Sequence, residues 1–439
     1  MLAEKRKTVA GYENQLSLFP DTEETQKHKS ASTFSDNLAL PIHRWFRYSA
    51  GFSALWVKEL IEREKSQGRS RALDPLCGSG TVLLEAERCQ IESFGVEAHP
   101  FIARVAQAKL HWREDPKAFR KFALDVLDDA KAQESNEYNY PALINKCFPT
   151  LTLMRLDALR KAWAHAADGS PVSELTWLVL ASILRECSPV GTAQWQYILP
   201  NKTKARVQDP YEAFAAKVHL MGQDMAKRQR LPHGPAAALL AADARQRLAV
   251  PDRWADLVIT SPPYANNYDY ADATRLEMSF FGDVAGWGDL QATVRRHLVR
   301  SCTQHVAKLA STTYQMAEET LLEPIRRELL PVCRHLDEAK ESHGGKKPYH
   351  AMIAAYFSDM AKVWANLRRV TCTDCLICFV VGDSAPYGVY VPVDRWLGEL
   401  AVAAGFKSYY FEKTRDRNIK WKNRKHRVPL HEGRLWVQG

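Results

Sequence analysis

Short apolar runs of strand length, separated by longer stretches with helical spacing, set the pattern of this chain. Arg71-Ala72-Leu73-Asp74-Pro75-Leu76, Ser93-Phe94-Gly95-Val96-Glu97 and Asp256-Leu257-Val258-Ile259 are three such runs. Near-continuous apolar strands suit a parallel sheet buried on both faces. Residues 237–242, closed by Asp243, predict a further strand, and residues 375–381, ended by Gly382-Asp383-Ser384, another. Residues 407–412 and 434–437 predict a closing strand pair.

Helical spacing fills the rest. Phe52, Leu55, Trp56 and Leu60 fall on one helix side, with Glu59 intruding, and Lys58 and Lys65 fall on the other. Leu153, Leu156, Leu159 and Trp163 share a face, and residues 175–184 are apolar on almost every side, as in a buried helix. Residues 285–342 read as long helices carrying Arg295, Arg296 and Arg300, followed by a linker at 343–348. Ile353, Tyr356, Phe357, Met360, Val363, Trp364 and Leu367 make an amphipathic helix, and residues 395–404 form a helix that stops at Gly405. The expected fold is α/β: a Rossmann-like doubly wound sheet with a large helical insertion. The core is expected at 37–100 and 236–439, the insertion at 101–235, and a disordered tail at 1–36. Base-reading segments are expected in the insertion or at 271–345.

Composition narrows the class. The chain has 439 residues, 46% hydrophobic and 25% charged, with net charge +9, a surplus that favours a polyanionic partner. No apolar run approaches the ~20 residues of a membrane span, and the polar N-terminal stretch is no secretory leader, so a cytoplasmic protein without membrane contact is expected. Nine scattered cysteines fit free thiols in a reducing compartment. Cys372, Cys375 and Cys378 are spaced like half a zinc site, but no matching Cys/His pair follows, and buried thiols without metal are expected.

Two loops carry candidate chemistry. Cys77-Gly78-Ser79-Gly80-Thr81 follows a strand and opens a helix at Val82, where glycines let a ligand approach backbone N–H groups and a helix N-terminus. Glu97, 17 residues past Gly80, ends the next strand where a carboxylate can grip ribose hydroxyls. The loop is not a phosphate-binding Walker loop, because no Gly-Lys-Ser/Thr follows. The second loop is Thr260-Ser261-Pro262-Pro263-Tyr264. Two prolines stiffen it and donate no N–H. Ser261 and the Pro262 carbonyl can accept hydrogen bonds and Tyr264 offers a flat face, which suits a planar group bearing an exocyclic NH2. A plain Pro-Pro turn explains the loop equally well when it is taken alone.

Three further segments point to polymers. Residues 413–427 hold eight basic residues against the single acid Asp416, with Trp421 among them. Lys413, Arg415, Arg417, Lys420, Lys422, Arg424 and Lys425 are the candidate phosphate contacts, against the alternative of a solvated basic loop. Trp195, Tyr197, Lys202, Lys204 and Arg206 interleave aromatics with bases, which suits stacked bases or a solvated loop. In the tail, Gln15-Leu16-Ser17-Leu18-Phe19 is an isolated apolar knot. It resembles the peptide with which bacterial replication and repair proteins dock onto the DNA sliding clamp; otherwise the tail folds back on its own domain.

Taken in order, Asp74-Pro75-Leu76-Cys77-Gly78-Ser79-Gly80-Thr81, Gly95-Val96-Glu97, Ala242-Asp243 and Thr260-Ser261-Pro262-Pro263-Tyr264 resemble the S-adenosylmethionine-dependent DNA amino methyltransferases, over roughly 40–100 and 235–439. The Ser-Pro-Pro-Tyr form is most similar to the N4-cytosine branch. The resemblance implies that Asp74, Pro75, Cys77, Gly78, Gly80 and Thr81 shape the loop around the methionine part of S-adenosylmethionine, with Phe52 packed nearby. It implies Glu97 on the ribose, Asp243 on the adenine amino group, and Ser261, Pro262, Pro263 and Tyr264 as the catalytic loop acting on double-stranded DNA. The 145 residues between Glu97 and Asp243 depart from a compact core. No metal and no covalent intermediate is implied, because cytosine-C5 transfer needs a cysteine on a Pro-Cys loop and Cys77 lies in the glycine loop. N6-adenine methylation, methylation of an RNA amino group, and a catalytically silent fold that binds DNA or the clamp are the alternatives.

Overall fold

The computed structural model describes residues 34–48, 51–135, 137–192, 197–266, 268–345, 347–417 and 428–439. An aromatic leading segment buries Trp45 and Phe46 and runs into α1 (Ala54–Ser66). Then come β1 (Arg71–Asp74), α2 (Thr81–Arg88) and β2 (Glu92–Val96). The insertion carries α3 (Pro100–Leu110), α4 (Pro116–Ala132), α5 (Ala142–Cys147), α6 (Thr150–Ala166), α7 (Pro171–Cys187), the hairpin β3 (Val190–Thr192) and β4 (Ile198–Thr203), and α8 (Pro210–Gln229). The chain returns through β5 (Ala238–Leu240) and β6 (Ala255–Thr260). It continues through α9 (Tyr270–Ala273), α10 (Arg275–Phe281), α11 (Leu290–Thr293), α12 (Thr313–Ala317), α13 (Glu323–Ser342), α14 (Tyr349–Val370), β7 (Thr371–Gly382), α15 (Val393–Ala403), β8 (Ser408–Arg417) and β9 (Leu430–Gln438).

Seven strands form one sheet in the order β5-β2-β1-β6-β7-β9-β8. Neighbours from β5 to β7 pair in parallel, and β9 runs antiparallel between β7 and β8. This is the expected Rossmann-like α/β sheet with a helical insertion. The chain builds outward from β1 to β2 and β5, then returns to β6 on the other side of β1. Strand direction of growth therefore reverses between β1 and β6, and the crevice outside their carboxyl ends is where open α/β sheets bind ligands.

Period-2 alternation sends neighbouring residues to opposite layers. Leu257 and Ile259 pack with Trp56 and Leu60 of α1, while Val258 packs toward α13, α14 and α15. The three late cysteines divide in the same way: Cys375 joins one layer and Cys378 the other, and all nine cysteines are free. In the insertion α7 is buried on nearly every side, as its continuous apolar run predicts.

The structure departs from expectation in three places. Leu55 is 41% exposed and lies with Glu59 on the solvent side of α1, because Trp56, Val57, Leu60, Ile61 and Glu64 form the buried stripe. The β3–β4 hairpin occupies a stretch read as loop. Residues 285–322 are short turns rather than long helices; Gly286, Gly288 and the β-branched Val294, Val299, Thr303, Val306 and Thr312 lower helix propensity there. Among the described residues no helix is long and apolar enough to cross a membrane. The tail peptide 15–19 and Trp195 lie outside the described residues.

Candidate functional site

The glycine loop is shaped by two left-handed residues, Gly78 (φ +52°) and Gly80 (φ +85°), of which Gly80 caps α2. A Cβ on Gly78 would stand 3.2 Å from the Tyr48 ring, so the loop and that ring already touch. Glu97 fixes the loop from the next strand. Its carboxylate accepts Gly78 N–H at 2.8 Å and His99 N–H at 2.8 Å. Burial pushes the Glu97 carboxyl up to about 7, against these two hydrogen bonds.

Asp74 lies beneath the loop, 1% exposed. It accepts the Thr260 hydroxyl at 2.6 Å and Leu76 N–H at 3.1 Å, and burial pushes it up to about 7. The Thr260 bond joins the last residue of β6 to the last residue of β1. The two functional loops are thereby tied at their roots.

Beyond Thr260, Ser261 Oγ donates to the Val380 carbonyl of β7 at 3.2 Å. The hydroxyl proton is thus spent on the scaffold, and the oxygen keeps lone pairs to accept from a ligand. Ser384 Oγ donates to the Ala265 carbonyl and ties the far end of the loop to the end of β7. Tyr264 is half-buried, and the Arg417 guanidinium lies 5.2 Å from its ring centroid, held by a hydrogen bond to the Asp383 carbonyl at 2.8 Å.

A cleft opens at the switch point between β1 and β6, with about 590 Å³ of unfilled space when the open solvent at its mouth is included. Gly78, Glu97, Asp243, Ser261 and Pro263, drawn from four separated stretches, line it together. Tyr48, from the aromatic segment 39–52, and Tyr270, from the polar-aromatic stretch 265–270, also line it, as do His99 and residues 297–299, which no sequence motif marks. Burial lowers the His99 imidazole to about 4, and its Nε2 lies 2.8 Å from Thr274 Oγ1.

Other expected site residues stand elsewhere. Phe52 is not in the cavity wall: its ring packs edge-on against Trp56 at 5.8 Å in the α1 layer, and Tyr48 takes the aromatic position. Trp45, Phe46, Tyr48 and Phe52 crowd together in the sequence, and that density alone does not distinguish one ring from the next. Pro75, Cys77, Gly80 and Thr81 are buried as the frame of the loop, with Cys77 packed under Gly95. Pro262 is buried, and Tyr264 lies beside the cavity rather than in its wall.

The basic stretch is more neutralised than its sequence suggests. Lys413 pairs with Asp416 at 2.5 Å, Arg415 with Glu432 at 2.8 Å, and Arg417 approaches Glu432 at 4.0 Å. Lys420, Trp421, Lys422, Arg424 and Lys425 lie outside the described residues. A separate buried group, Asp269, Cys302 and His305, brings three metal-type donors within 4.8 Å. Its carboxylate is already engaged by Arg295 at 2.6 and 3.1 Å and by the α9 backbone, so the charge there is compensated from within.

The chain is 26% identical over 433 residues to the Type II methyltransferase M.BsoBI of Geobacillus stearothermophilus, covering 88% of this chain and 82% of that protein. It is 25% identical over 414 residues to the Type II methyltransferase M.AvaI of Nostoc sp., covering 86% of this chain and 83% of that protein. A shorter match, 30% identical over 95 residues, joins 22% of this chain to 18% of the Type II methyltransferase M.MjaII of Methanocaldococcus jannaschii. The relatives matched over most of the chain are therefore Type II methyltransferases. No family model and no solved structure matches the chain.

Proposed function

We propose that this chain is a site-specific DNA methyltransferase that transfers a methyl group from S-adenosylmethionine to the exocyclic N4 of a cytosine turned out of the duplex. One observation carries the reading: Ser261 and Pro263 of the proline loop share a cavity with Gly78 and Glu97 of the glycine loop, at the point where strand growth reverses. The similarity to Type II methyltransferases over most of the chain supports the same reading.

The residues fit the cofactor. The Tyr48 ring walls the loop at Gly78, and Glu97 and Asp243 supply carboxylates for hydroxyl and amino donors. The Glu97 carboxyl in the cavity wall, pushed up to about 7 by burial, is poised to ionise against a cation. S-adenosylmethionine supplies the electrophilic methyl group. The chain supplies position: Ser261 Oγ and the Pro262 carbonyl accept from the exocyclic NH2 and orient its lone pair along the line of transfer. Extruding the base costs a few kcal/mol, and stacking on Tyr264 offsets ~1–3 kcal/mol of it.

The same reading assigns DNA phosphates to the basic stretch 413–427, target recognition to the insertion or to 271–345, and clamp docking to Gln15-Leu16-Ser17-Leu18-Phe19. The N6-adenine alternative uses the same site. Incubation with methyl-labelled S-adenosylmethionine and plasmid DNA tests the reading. Label enters DNA with the native chain and is lost in Ser261→Ala and Tyr264→Ala, which still bind cofactor; equal incorporation in both variants refutes the site.

A further inference from the structure

The far wall of the cavity, His297, Leu298 and Val299, belongs to no long element. Arg295–His297 is one helical turn, and the backbone then extends at Leu298. Side chains from other parts of the chain hold this wall. Arg245 Nη2 donates to the Arg296 carbonyl at 2.8 Å. Asp359 of α14, 1% exposed, accepts the Arg300 backbone N–H at 2.9 Å and the Arg300 guanidinium at 2.9 and 2.6 Å.

The same Arg245 reaches across to the opposite side. Its Nε and Nη2 donate to Asp243 at 2.9 and 2.7 Å, and its Nη1 donates to Asp359 at 3.0 Å. One guanidinium therefore joins a carboxylate that lines the cavity, a buried carboxylate beneath it, and the backbone of the facing wall. Two acids and two arginines balance in charge. The planar fork spans three acceptors in fixed directions, which an ammonium group cannot reproduce. Asp243 has no freedom to turn independently of the wall.

We propose that Arg245 and Asp359 are positioning residues that fix Asp243 and the 296–300 wall at one separation, and so set the affinity and selectivity of the site for the adenine end of the cofactor. This rests on reading the cavity as the cofactor site with Asp243 facing adenine. Neither residue touches the cofactor; both act through Asp243 and the wall.

Calorimetric binding of S-adenosylmethionine, S-adenosylhomocysteine and S-inosylhomocysteine, which carries an oxo group in place of the adenine amino group, tests it on the full chain. The native chain binds the adenosyl forms and discriminates against the inosyl form. In Arg245→Lys and Asp359→Asn, affinity for the adenosyl forms falls about tenfold or more, the loss of one well-placed hydrogen bond. Discrimination against the inosyl form shrinks, and KM for the cofactor rises with little change in kcat at saturation. Arg245→Lys keeps charge and stem, so it carries the test if Asp359→Asn does not fold. Native affinity and native discrimination in a folded Arg245→Lys overturn the proposal. A native chain that binds neither adenosyl compound overturns the cofactor reading itself, and the proposal with it.

Discussion

The Thr260 hydroxyl donates to the buried Asp74 carboxylate at 2.6 Å, joining the end of the strand that delivers the proline loop to the end of the strand that delivers the glycine loop. Thr260→Val keeps the shape and removes the bond. Asp74 is then left with only Leu76 N–H, and the chain loses ~1–3 kcal/mol of stability, the cost of an under-satisfied buried acceptor. Misplacing the two loops lowers methyl transfer by about tenfold to a hundredfold. Thr260→Ser restores both, as read by denaturant midpoint and single-turnover rate.

Asp74 and Glu97 predict a pH signature. Burial raises them from 3.8 and 4.5 to about 7 each. The folded state therefore holds protons that the unfolded state releases, and stability falls as pH rises from about 4 through about 7. Asp74→Asn removes its share of that loss, because the amide oxygen keeps both hydrogen bonds that Asp74 Oδ1 accepts. Relative to the native chain it gains stability as pH rises from about 4 through about 7. Affinity for the cationic cofactor runs the other way in the native chain: it rises through about pH 7 as the Glu97 carboxyl ionises, with proton release measurable in buffers of different ionisation enthalpy. A stability difference independent of pH contradicts the assignment.

Tyr48 and Phe52 separate function from packing. Tyr48→Ala removes the ring against Gly78 and raises cofactor KM. Phe52→Ala, buried against Trp56, costs ~3–5 kcal/mol of stability and leaves cofactor KM unchanged in the folded fraction. Reversal of the two effects returns the aromatic wall to Phe52.

How much of this was legible in the chain follows from the range of the contacts. Strands β1, β2, β6 and β7 were readable because burial on both faces makes each an apolar run, and Gly78, Gly80, Pro262 and Pro263 punctuate their ends. The convergence of Glu97, Asp243 and Ser261 was expected from the resemblance to the amino methyltransferases, not from any local pattern around Asp243. The short turns at 285–322 were not legible, because scattered β-branched residues and glycines still leave apolar positions at helical spacing. The acid partners of Arg415 and Arg417 were not legible either, since Glu432 lies on β9 and pairing is set by register between strands. Asp359 lies 114 residues from Arg245, and no local pattern announces such a pair.

Deletion of Gln15-Leu16-Ser17-Leu18-Phe19 is predicted to leave methylation of naked plasmid DNA unchanged. Co-purification with an immobilised bacterial sliding clamp is lost in the same deletion. Retained capture assigns clamp contact to another surface.

The most direct measurement is nucleoside mass spectrometry of plasmid DNA after incubation with S-adenosylmethionine and the purified chain, with Ser261→Ala in parallel. The account predicts N4-methylcytosine with the native chain and none with the variant. N6-methyladenine in its place contradicts the assignment of the base, and no modified nucleoside in DNA contradicts the assignment of the activity.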